Sequence, residues 1–178
     1  MYPPSAFPFL IHYVGTLIAM YISIQTIILI KYWKGDKVVI ALIISTHGNF
    51  SEELVKSSEM IFGSQTNVGV VTFKPGEGTD NLVDKYNTLI NELDCTDGIL
   101  FMVDLFGGSP FNAASILALK NNKMEIVTGV NLPMLLEVFG SRDFSSLSEL
   151  TSIAQSAGKE SIKQFVKEIS TDLEEDEL

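Results

Sequence analysis

Val38-Val39-Ile40-Ala41-Leu42-Ile43-Ile44-Ser45 is an unbroken apolar and largely β-branched run that stops at Thr46-His47-Gly48-Asn49. Such a run lacks the in-out alternation of a half-solvated strand, so Val38–Ser45 reads as a strand buried on both faces of a parallel sheet. The residues that follow alternate helix and strand. Ser51–Phe62 places Leu54, Val55, Ser58, Met60 and Ile61 at helical spacing, and Gly63 ends it. Val68–Phe73 is the second strand, closed by Lys74-Pro75-Gly76-Glu77-Gly78. Thr79 or Asp80 is the expected cap of a helix whose apolar positions Leu82, Val83, Tyr86, Leu89, Ile90 and Leu93 keep a 3.6 period. Gly98–Val103 is the third strand. Gly107-Gly108 then makes a tight turn, with Ser109 expected as N-cap and Pro110 at the first helical position of a helix running to about Lys120. Met124–Thr128 is the fourth strand, and further helices are expected near Pro133–Phe139 and Leu147–Gln155.

Strands joined by helical connections long enough for right-handed crossovers imply an α/β fold: a doubly wound parallel sheet with helices on both faces. The simplest strand order is 2-1-3-4, in which the winding reverses between the first and third strands. Ligands in such sheets bind beyond the carboxyl ends of the strands at that reversal. The residues expected there are His47 and Asp104. A carboxylate beside a histidine orients one ring nitrogen and leaves the other free to react. The Gly107-Gly108-Ser109 turn feeds a helix N-terminus whose N–H groups and dipole can hold a tetrahedral anion, with the Thr46 and Ser109 hydroxyls as added donors. An imidazole nucleophile, an orienting carboxylate and an anion cradle suit the acceptance of a phosphoryl group on histidine.

Composition excludes several other classes. The 178 residues carry a formal net charge of −10, the wrong sign for neutralising nucleic-acid phosphates. The single cysteine, Cys95, excludes an intramolecular disulfide and a cysteine-based zinc site. No metal or cofactor is expected. Residues 1–37 stand apart. Phe7–Ile30 is a 24-residue stretch without Asp, Glu, Lys or Arg, and Lys31, Lys34 and Lys37 follow it. Two readings of this leader stand side by side. In one, residues 7–30 form a transmembrane anchor with the rest of the chain inside. In the other, translation starts at Val38, since Lys34-Gly35-Asp36 can be encoded by a purine run resembling a ribosome-binding site. Fold reasoning therefore begins at residue 38, on a part of the chain that carries −12.

Several strings recur together in one order. They are Thr46-His47-Gly48, Glu59-Met60, Pro75-Gly76-Glu77, Val103-Asp104, Gly107-Gly108-Ser109-Pro110-Phe111-Asn112-Ala113-Ala114 and Gly129-Val130-Asn131-Leu132-Pro133-Met134-Leu135. In these the chain resembles, over about 38–169, the IIA component of the mannose/fructose/sorbose family of the bacterial phosphoenolpyruvate-dependent sugar phosphotransferase system. The resemblance implies that His47 receives a phosphoryl group from the histidine phosphocarrier protein and passes it to a IIB protein. That protein in turn serves the membrane IIC and IID sugar carriers. It also implies that Asp104 partners the histidine, that Ser109 lies in the phosphate-facing loop, and that the chain acts in the cytoplasm at the inner face of the membrane. A homodimer exchanging an antiparallel edge strand is expected on the same ground. IIB is expected as a separate polypeptide, because the acidic tail 170–178 is not followed by a linker and a second domain. Ile162, Phe165, Val166 and Ile169 space as a helical stripe, whereas the resemblance looks for the exchanged strand there, so both readings of 161–169 stand.

Other classes fit less well. Ser109, His47 and Asp104 could be taken for a serine hydrolase, but G-x-S-x-G is absent and Ser109 opens a helix without the second glycine of a nucleophile elbow. A phosphorylation-controlled binding module and a phosphotransfer protein of a dihydroxyacetone kinase system are the remaining alternatives. Apolar Phe50, Leu105 and Phe106 beside His47 suit a transient protein interface.

Overall fold

A computed structural model describes residues 38–165. Strands β1 (Ala41–His47), β2 (Val68–Phe73), β3 (Ile99–Val103) and β4 (Met124–Thr128) alternate with helices α1 (Phe50–Phe62), α2 (Thr79–Glu92) and α3 (Ser109–Ala118), and α4 (Leu132–Ser141) and α5 (Leu147–Glu160) follow. The sheet order is β2-β1-β3-β4, every neighbouring pair is parallel, and this is the doubly wound arrangement expected from the sequence. Ile43 of β1 lies opposite both Gly69 and Phe101, so the central strand is paired on both edges.

Because side chains alternate across a strand, β1 feeds two cores. Ile40, Leu42 and Ile44 pack with Leu54 and Val55 of α1, Met134, Leu135 and Val138 of α4, and Leu150 and Ala154 of α5. Ala41 and Ile43 face the other way, onto Leu82 and Tyr86 of α2 and Ala113 and Ala114 of α3. Ala41 to Ile44 are wholly buried. Each buried Leu, Ile or Val contributes about 1.5–3 kcal/mol relative to exposure. The uninterrupted apolar run therefore records burial on both faces.

Several boundaries differ from the sequence reading. The first strand begins at Ala41, because the Val39 N–H donates to an Asp97 carboxylate oxygen at 2.8 Å and its carbonyl accepts the Asp97 N–H, a loop clasp outside the ladder. It ends at His47, two residues later than expected, paired with Phe73. The cap of α2 is Gly78, whose N–H donates to the Asn81 side chain at 2.9 Å; Thr79 and Asp80 lie inside the helix. Gly108, and not Ser109, caps α3, and Pro110 occupies the second helical position. Gly107 turns the chain at φ +76, so helical geometry is entered one residue early. Pro110 tolerates this because the second N–H of a helix lacks an intrahelical partner as the first does. Helix α3 stops at Ala118, while α5 extends to Glu160 from a capping box of Ser146 and Glu149.

Ile162 and Phe165 belong to neither a helix nor a strand and are exposed, whereas Val166 and Ile169 lie outside the described residues. Also outside them are the leader 1–37, with its anchor reading for 7–30, and the acidic tail 170–178. Among the described residues no helix is long and apolar enough to cross a membrane.

Candidate functional site

At the carboxyl edge of the sheet the chain reverses winding between β1 and β3, and His47 and Asp104 meet there. His47 is the last residue of β1, and Asp104 directly follows β3. One Asp104 oxygen accepts the His47 backbone N–H at 2.9 Å, and the carboxylate lies 3.0 and 3.2 Å from Nδ1. A carboxylate offers no proton, so Nδ1 carries the hydrogen and donates it. The neutral ring thereby keeps its lone pair on Nε2. The His47 side chain is 43% exposed and that of Asp104 is 20% exposed, so the imidazole is open to solvent while the orienting carboxylate is more buried.

Gly108 approaches the ring from the α3 side. A Cβ built on it would lie 2.9 Å from His47 Cε1, the ring carbon between Nδ1 and Nε2. The turn is braced by the Gly108 N–H donating to the Leu105 carbonyl at 3.2 Å and by the Asn112 side chain donating to the Gly107 carbonyl at 3.1 Å. Ser109 and Phe111 carry first-turn N–H groups at the start of α3; Pro110 has none. Gly108 is thus set against the His47 ring, with Gly107 and Ser109 flanking it in the chain.

Strand alternation sends the Thr46 side chain to the face opposite His47, where it is fully buried. Its hydroxyl oxygen accepts the Ser51 N–H and caps the first turn of α1, while the Ser51 hydroxyl donates to the Val71 carbonyl at 2.9 Å. The Thr46 hydroxyl is thus engaged in holding the helix that follows β1.

The sequence reading missed Phe73. Its ring meets the imidazole edge-on with centroids 5.5 Å apart, and its carbonyl accepts the Gly48 N–H at 2.8 Å. The imidazole therefore stands between an aromatic wall on the β2 side and a carboxylate on the β3 side. The following loop is fastened by Lys85, whose ammonium donates to the Thr72 carbonyl and to Glu77, while the other Glu77 oxygen accepts the Lys74 N–H. These contacts hold the Glu77 carboxyl below its usual range, the Lys85 hydrogen bond first among them. Around the site, Phe50, Leu105 and Phe106 are exposed, and the Phe106 ring tilts against Phe111 with centroids 4.7 Å apart. No cluster of three or more metal-ligating side chains occurs among the described residues.

The fold and this edge define a class: a doubly wound α/β domain with a carboxylate-oriented histidine at its switch point, under a glycine turn and a helix N-terminus. Residues 41–155 match the family described as the PTS system fructose IIA component. The chain belongs to this family of IIA components of the sugar phosphotransferase system. It is 38% identical over 146 residues to the fructose-specific EIIA component of Bacillus subtilis, covering 79% of this chain and all of that one. It is 46% identical over 125 residues to the mannose-specific EIIAB component of Escherichia coli K12, covering 70% of this chain but only 39% of that longer protein. Among solved structures, phosphotransferase component EIIA from Streptococcus agalactiae aligns with a TM-score of 0.64 at 30% identity, over 70% of this chain and 96% of that one. The mannose/sorbose-specific IIA subunit of Enterococcus faecalis aligns at 0.66, and at 24% identity it speaks for the fold alone.

Proposed function

We propose that His47 is the phosphoryl acceptor of a sugar phosphotransferase relay, taking its phosphoryl group from the histidine phosphocarrier protein and giving it to a IIB protein. In the step, the N–P bond of the donor's phosphohistidine breaks as a bond from His47 Nε2 to phosphorus forms. No proton need leave Nε2, because it enters the reaction with a lone pair. The ring becomes cationic while Nδ1 keeps its hydrogen, and Asp104 balances that charge. The phosphoryl oxygens meet the first-turn N–H groups of α3 and the Ser109 hydroxyl. The reverse sequence, with IIB as acceptor, uses the same contacts.

The observation that carries this reading is the pair of bonds from His47 to Asp104, which fix the strand end and select the tautomer that leaves the lone pair on Nε2. Exposed Phe50, Leu105 and Phe106 supply an apolar rim for protein partners that dock and leave. IIB serves membrane IIC and IID sugar carriers, which places the relay at the inner face of the membrane. A homodimer belongs to the same reading, and β4 lies at the end of the sheet. His47→Ala should abolish labelling from phosphoenolpyruvate in the presence of the general phosphotransfer proteins. Undiminished labelling would overturn the assignment and turn attention to His12, the only other histidine.

A further inference from the structure

We infer that Tyr86 is a positioning residue, a strut that holds the α3 cradle at its distance from the His47 imidazole; this rests on the reading of His47 as phosphoryl acceptor. Tyr86 lies on the apolar stripe of α2 and is completely buried. Its phenol oxygen is 2.7 Å from the Ser45 hydroxyl and 3.1 Å from the Pro110 carbonyl. The carbonyl can only accept, so the single phenol proton goes to Pro110 and the Ser45 hydroxyl donates to the phenol oxygen. Ser45 stands two residues before His47 on the same face of β1, and Pro110 stands two residues after Gly108 in the first turn of α3. One side chain thus ties the strand that ends in the nucleophile to the helix that begins at the cradle.

Core packing alone does not explain the hydroxyl. The Tyr86 ring packs on Phe101 with centroids 5.2 Å apart, a contact that phenylalanine would make equally well. A hydroxyl in a dry core is costly unless it is satisfied, and here both partners come from the two elements that carry the site. Burial raises the phenol pKa, so the group stays a neutral donor throughout the working range. The space it regulates is small. Gly108 already sits where a Cβ would fall 2.9 Å from the ring, so a shift of α3 changes the cradle-to-imidazole distance directly.

The test uses the full chain and the phosphorylated histidine phosphocarrier protein as donor in single-turnover transfer. Tyr86→Phe should fold, and His47 should still label to completion. Its maximal transfer rate should fall about tenfold, with the donor concentration for half-maximal rate unchanged, because the loss is of orientation and not of docking. The phosphorus NMR resonance of the phosphohistidine should move as well. Ser45→Ala, which spares the Pro110 bond, should lose about threefold in the same parameter. A folded Tyr86→Phe with the wild-type maximal rate and an unmoved resonance would reduce the phenol to core packing and overturn the proposal, as would a loss confined to half-saturation. Should Tyr86→Phe fail to fold, a wild-type rate in Ser45→Ala overturns it equally. A wild-type chain that takes no label would instead defeat the acceptor reading itself, and the strut with it.

Discussion

Gly108→Ala tests the tolerance of the site, because it changes one atom group next to the nucleophile. The backbone there is extended, at φ −71 and ψ 168, which alanine adopts without strain. Replacing glycine at such a position stabilises a fold by about 0.4–1 kcal/mol through the unfolded chain. Against that stands the contact of 2.9 Å to His47 Cε1, together with 3.3 Å to the Leu105 carbonyl oxygen. Carbon pairs prefer at least about 3.5 Å, so the ring or the turn must yield about 0.6 Å. The ring cannot yield freely, since Asp104 holds Nδ1 at 3.0 Å and Phe73 walls the other side. Either movement changes the spacing between the turn and the imidazole. Net stability should therefore change by less than about 1 kcal/mol, while the single-turnover transfer rate falls by about 10²-fold. Gly107→Ala gives the opposite pattern. At φ +76 with nothing near its missing Cβ, it should cost about 1–2 kcal/mol in thermal unfolding with a smaller loss of rate. Transfer within about threefold of wild type in a folded Gly108→Ala protein would refute the argument that the turn is held against the imidazole.

Two further predictions concern groups on either side of that turn. Asp104→Asn should preserve the fold and slow transfer to and from His47 by about 10²-fold or more, because an amide neither fixes the Nδ1–H tautomer nor balances the cationic ring; a wild-type rate in rapid-quench transfer would leave Asp104 as a loop brace only. Glu77 has a folded pKa below its unfolded value, through the Lys85 ammonium and the Lys74 N–H, so its stabilisation is present above about pH 4.3 and is lost as pH falls through the lower folded value. Melting temperatures of wild type and Glu77→Gln should therefore differ at neutral pH and converge in acid, and a constant offset across the range would contradict the linkage.

The parts of this fold that are legible in the sequence are those whose cause is local. The apolar run 38–45, the helical stripes and the glycine closures each follow from burial or backbone preference over a few residues, and the strand order is the simplest doubly wound arrangement of such crossovers. His47 and Asp104 were legible because strand ends at a winding reversal converge in any sheet of this topology. The placing of Thr46 follows from strand alternation: adjacent residues face opposite ways, so its side chain and that of His47 take opposite faces of the sheet. The one-residue shift of the α3 cap was ambiguous, because Gly-Gly-Ser-Pro admits a proline at either of the first two positions. Tyr86 and Phe73 gave no local sign. An aromatic residue on a helix stripe or a strand end reads as core, and the groups they touch, Ser45 and His47, lie on a strand distant in sequence.

Three consecutive residues of β1 are each held by a different neighbour, and this explains why a half-exposed imidazole can be precise. Ser45 is tied to α2 through Tyr86, Thr46 to α1 through the Ser51 N–H, and His47 to the residue after β3 through both its backbone and its ring. In the proposed role His47 must meet protein partners and cannot be enclosed, so burial cannot fix it. The alternating faces of the strand provide the fixing instead: one face carries the strut to the cradle helix, the other caps the helix leaving the site. Preorganisation of this kind costs nothing at the moment of transfer, because every contact except those to the phosphoryl group is already made. In the proposed relay, the half-exposed imidazole of His47 is where donor and acceptor proteins would meet the domain.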